Sequence, residues 1–153
     1  MLEECQSAQE RWGGVSEIID RWLKERQQML VLYCDLSDVV DDEQSQRGSI
    51  LRSMCQIMVD YVSAGHFEVY GQLVDEGRAF EDEEGLATAA EQFKKVDSTT
   101  EYILDFNDKY QEVDDLEALP ADLSRLGEML AARFEAEDVA IKVLHVAHKD
   151  HLD

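Results

Sequence analysis

Apolar side chains recur along this chain at three- and four-residue steps, the spacing that lines one face of an α-helix. No stretch alternates with period two, so no strand is predicted. Four long segments carry the helical pattern. From about 15 to 36, Ile19, Trp22, Met29, Leu30 and Tyr33 form one stripe. From about 49 to 73 the stripe is Leu51, Met54, Cys55, Met58, Tyr61 and Val62, with an irregularity expected at Gly65. From about 86 to 107 it runs through Leu86, Ala89, Phe93, Val96, Thr100 and Leu104. The last opens at Pro120, a residue suited to a first helical turn because its missing N–H would be unpaired there. It continues through Leu123, Leu126, Leu130, Phe134, Ile141 and Leu144. Acidic breaks at 35–46, 75–85 and 108–119 separate the segments. The Gly13-Gly14 pair is expected to kink the chain or set off a short leading helix. The pattern therefore predicts an all-α fold: an antiparallel four-helix bundle, with a short extra N-terminal helix and breaks within the long helices. One domain spans 1–153.

Interruptions of a stripe say more than the stripe, because an isolated buried charge is costly. Arg26 falls between Trp22 and Leu30, and Glu137 between Phe134 and Ile141 with Arg133 at its edge. His66 shares a face with Val62, Val69 and Leu73 if the helix continues through Gly65. The simplest resolution is that the Arg–carboxylate pair meets across the bundle with the imidazole nearby, fixing helix register or marking a site. Asp60 instead projects away from the Met58 stripe, beside Ser63 and Phe67. A phenylalanine on a polar face is either a contact residue or is covered by the chain's own first helix or loop.

Composition narrows the function. With 35 acidic against 14 basic residues the formal net charge is −21. Such a chain is repelled by nucleic acid, anionic lipid and phosphorylated metabolites, and suits cations or basic protein surfaces. The longest apolar run, 29–34, falls far short of the ~20 residues of a membrane helix. No secretory signal is read at the N-terminus. Three cysteines without CxxC spacing fit a reducing cytosol, so a cytoplasmic protein is expected. No Glu-x-x-His pair, phosphate loop, zinc spacing or nucleophile motif is found, so no cofactor, metal or enzyme activity is predicted. His145, His148 and His151 step by three and fan around the helix, which suits solvated or helix-end histidines better than metal ligands.

Three segments, DRWLKER (20–26), DYVSAGHFEVY (60–70) and GEMLAARFEAED (127–138), together resemble the Rsd/AlgQ family of bacterial anti-sigma factors. The opening MLEECQSAQERWGG is similar to the AlgQ branch, and the likeness is weakest in the breaks at 35–46 and 108–119. The resemblance implies a helical bundle that binds the primary sigma factor of RNA polymerase at its promoter-reading helix-turn-helix domain. Such binding sequesters sigma, lowers housekeeping transcription and favours alternative sigma factors as growth slows. It also implies links to alginate and siderophore regulation and to a phosphocarrier protein of the sugar phosphotransferase system. Carried over residue by residue, the binding role falls on Arg21, Trp22, Leu23, Arg26, Asp60, Ser63, His66 and Phe67, with Arg133, Glu137 and Asp138. Direct contact and support of the bundle are both open for Arg26, His66 and Glu137. A self-repelling monomer is expected, with weak pairing through a Trp- and Phe-bearing face left open. The alternatives are a histidine phosphotransfer bundle and a metal-binding bundle. Against the first, His66 is followed by Phe-Glu-Val-Tyr rather than the His-x-x-Lys-Gly of that class.

Overall fold

A computed structural model describes residues 2–38, 44–112 and 116–151. Helix α1 spans Leu2–Asp38 and α2 spans Gln44–Ala64. A π-helical turn, Gly65–Val69, joins α2 end to end with α3, Tyr70–Ala79. Helix α4 spans Glu83–Glu112, α5 spans Leu119–Leu144, and a 3-10 turn, Val146–His151, follows. With α2, the π turn and α3 counted as one rod, the molecule is the expected four-helix bundle. Side-chain bonds fix the directions. Along α1 and α5, Trp12 reaches His145 and Tyr33 reaches Leu123; along α4 and α5, Val96 meets Arg133 and Lys109 meets Asp122, so these rods run antiparallel. No described helix is long and apolar enough to cross a membrane.

The predicted stripes form one core. It includes Ile19, Trp22 and Met29 of α1, Met54, Met58 and Tyr61 of α2, and Leu126, Leu130 and Leu144 of α5. Leu30 and Leu104, expected inside, lie at the exposed rim, and Ile103 and Phe106 fill the α4 face instead. A one-residue error in phase rotates a helical position by about 100°, enough to move it from core to rim.

The expected separate N-terminal helix is corrected by the structure: α1 is continuous through Gly13 and Gly14. Two interior glycines cost about 1 kcal/mol each relative to alanine, which nearby tertiary contacts can offset. Val15 is buried, and the Trp12 indole donates to the His145 carbonyl at 2.9 Å while stacking on its ring. The break at 75–85 shrinks to a turn at 80–82. There Glu81 takes a left-handed φ of 53°, and the Asp82 carboxylate accepts from the Gly85 N–H at 2.8 Å to cap α4. Residues 39–43 of the first break, and 113–115 of the third, lie outside the described residues.

Candidate protein-binding face

The Gly65 irregularity is a π turn, in which the Tyr70 N–H reaches five residues back to the Gly65 carbonyl. Wider than an α-turn, it re-phases everything after it. Gly65 itself lies under two rings: a Cβ there would come 3.0 Å from the Trp22 ring and 3.1 Å from that of Tyr70. His66, Phe67 and Glu68 all face solvent, Phe67 with 83% of its surface exposed. The His66 ring meets Phe67 edge-on at 4.8 Å. His66 is therefore not part of the buried pair's surroundings, as the uninterrupted phase had suggested. Among the described residues, neither the first helix nor a loop covers Phe67.

About two turns before Phe67 stands Asp60, exposed, and about one turn before it Ser63, half-buried. Across from them α1 contributes Arg21 and Glu25 to a notch of about 120 Å³ floored by Trp22 and Ala64, with Glu68 on its rim. The Glu25 carboxyl is raised above its ordinary value, first by burial and then by the negative charges of Asp60 and Glu68. The face thus carries an exposed aromatic ring and, on the same side, carboxylates that repel one another.

Beneath it lies a polar network. Arg26 donates from Nε to the Tyr61 hydroxyl at 3.0 Å and from Nη1 to Asp138 at 2.7 Å. Its guanidinium lies 4.5 Å above the Phe134 ring and 3.4 Å from Glu137. Glu137 also accepts from the hydroxyls of Tyr61, at 2.6 Å, and Tyr70, and pairs with Arg133 at 3.4 Å. Arg133 donates to Thr99 and Thr100 at 3.1 and 2.9 Å. Burial raises the Glu137 carboxyl despite the opposing pull of Arg133, both tyrosine hydroxyls and Arg26. Burial, together with the Glu137 charge, likewise raises both tyrosine hydroxyls. Such a network fixes how the five helices, α1 to α5, meet.

The eleven residues expected at a binding site therefore divide. Arg21, Asp60, His66, Phe67 and Asp138 are exposed, and Leu23, Arg26 and Ser63 are half-buried. Trp22, Arg133 and Glu137 are buried within the bundle, Trp22 at the floor of the notch. Their charges and rings lie there because Arg26 and the two tyrosines complete them. Glu25 and Glu68 were missed as members of the face; in a chain with so many acids, adjacency along the sequence carries no signal.

The C-terminal histidines also behave differently from expectation. His145 and His148 are buried, with Nδ1 of the first donating to Glu76 at 2.8 Å and Nε2 of the second to Asp82 at 2.7 Å. The His151 side chain lies outside the described residues. Among those residues no group of three His, Cys, Asp or Glu side chains could hold a metal ion.

The profile of the family described as "Regulator of RNA polymerase sigma(70) subunit, Rsd/AlgQ" matches residues 1–145. Similar relatives carry the name "Regulator of sigma D". The protein from Shigella dysenteriae serotype 1 is 33% identical over 159 residues, covering 99% of this chain and 99% of its own length. That from Yersinia pseudotuberculosis serotype O:1b is 32% identical, covering 93% of this chain and 88% of its own.

Proposed function

The chain belongs to the Rsd/AlgQ family of regulators of the RNA polymerase sigma(70) subunit, and from that premise we propose that it is an anti-sigma factor acting through the Asp60–Phe67 face. Its partner in this reading is the promoter-reading helix-turn-helix domain of the primary sigma factor. The observation that carries the reading is Phe67, 83% exposed on the face that also holds Asp60 and Glu68, whose charges reach Glu25, on a chain of net charge −21. A domain that grips DNA phosphates presents Arg and Lys. An acidic protein steered to those side chains excludes promoter DNA by overlap alone, without chemistry. Sequestration then lowers housekeeping transcription and leaves polymerase to alternative sigma factors. The phosphocarrier protein of the sugar phosphotransferase system is the next partner to test. Phosphoryl transfer through His66 is disfavoured, since the carboxylates around it repel a phosphoryl group.

Calorimetric titration against the isolated sigma domain tests this. One-to-one binding at micromolar affinity or tighter, abolished by Asp60→Arg, is expected. No binding at low salt, or binding indifferent to Asp60→Arg, overturns it.

A further inference from the structure

Phe67 lies on the exposed face by its position, seven residues after Asp60, and a backbone device adds its neighbour Glu68 to that face. In an uninterrupted α-helix, Glu68 would follow Tyr61 by seven residues and fall on nearly the same buried side. The π turn delays the helix by about one residue, so Glu68 turns out to the rim while Val69 and Leu73 resume the core. Three side chains in a row, His66 to Glu68, are thereby displayed at one bulge. The bulge is clamped from within. The Trp22 indole N–H donates to the Tyr61 carbonyl at 2.9 Å, and its ring stacks on Tyr61 at 4.5 Å. Trp22 also meets Tyr70 edge-on, and Tyr70 is tied to Glu137. Gly65 is the position at which both rings come close enough to crowd a Cβ, so that an added methyl would push on them.

We infer that this clamped π turn is a positioning device. Gly65 and Trp22 hold Phe67 out as a preset knob between Asp60 and Glu68, complementary to an apolar pocket with a cationic rim on the partner. The inference rests on the proposed sigma-binding role for its partner, and on geometry alone for the positioning. A knob ordered before binding avoids the entropy cost of ordering it on binding.

Two measurements separate these parts. In the free protein, 4-fluorophenylalanine placed at position 67 reports the ring's surroundings by its 19F shift. Gly65→Ala is expected to move that resonance; Trp22→Phe, which keeps a ring but removes the N–H donor, is the second variant should Gly65→Ala fail to fold. An unmoved resonance in a folded variant overturns the positioning role. In sigma-domain titrations, Gly65→Ala is expected to lower affinity about tenfold or more, and to lower it little further in a Phe67→Ala background. Full additivity of the two losses would mean that Gly65 acts through general stability, and also overturns the inference. Wild-type chain that fails to bind overturns the sigma-binding reading and the partner half of this one, while the 19F result still decides the positioning.

Discussion

Glu25 sits half-buried at the edge of the notch, its carboxyl raised from the ordinary 4.5 by burial and by Asp60 and Glu68. A carboxylate raised on folding is ionised more readily in the unfolded chain, so its charge opposes folding above the unfolded value. The penalty fades as pH falls toward and below 4.5, where both states hold the proton. Glu25→Gln is therefore expected to stabilise the protein near pH 7, by up to about 0.5 kcal/mol given its solvent screening. The gain should shrink at pH 4, as urea denaturation at the two pH values would read. At this scale the sequence was partly legible. The Arg26–Glu137 pair was visible as two charges interrupting two stripes, and the structure joins them at 3.4 Å. The role of Asp138 as Arg26's closer carboxylate, and the two tyrosine hydroxyls on Glu137, were not visible. They depend on which atoms of three separate helices come within 3 Å.

At the scale of the element, glycine takes three meanings that composition does not distinguish. At Gly13 a Cβ would meet nothing within 4 Å, and the residue is helical. Gly13→Ala is expected to stabilise by about 0.5–1 kcal/mol, through helix propensity alone. At Gly127 a Cβ would run into the Tyr33 hydroxyl, which donates to the Leu123 carbonyl. Gly127→Ala is expected to destabilise despite its better propensity, because Tyr33 must give up that bond or α5 must move away; chemical denaturation of both variants reads the two signs. Gly65 marks the π turn. Sequence reasoning located the irregularity there from a glycine within a helical stripe, and was wrong about Gly13-Gly14 from the same cue. What separates them is the surroundings: two aromatic rings over one, open solvent beside the others.

For the whole molecule the governing quantity is the charge of −21. Association with a cationic domain should be steered over distances comparable with the Debye length, about 8 Å at physiological ionic strength. Raising salt from about 50 to about 500 mM is expected to weaken sigma-domain binding clearly, mainly through a slower association rate measurable by stopped flow. An association rate flat in salt would assign the binding to Phe67 and its apolar contacts instead. The same charge leaves few cations to spare, and the structure spends Arg26 and Arg133 inside the bundle on Glu137 rather than on the surface.

The helical class, the four rods and the acidic surface follow from properties that each residue carries by itself and that add along the chain: apolar periodicity, helix propensity and charge. The order of the amino acids was enough to read them. The tertiary structure alone decided which interruptions are buried and which are displayed. Arg133 and Glu137 go inward because Thr99, Tyr61 and Tyr70 meet them there, and the Trp12 indole finds a carbonyl 133 residues away. His66 and Glu68 go outward because one widened turn shifts the phase of the helix, beside Phe67, which already lay on the polar face. A hydrogen bond is decided by tenths of an ångström between distant segments, and periodicity fixes a side chain's direction only to within a fraction of a turn. That difference in precision is why the face's outline could be read from the sequence, while its clamp and its acidic rim could not.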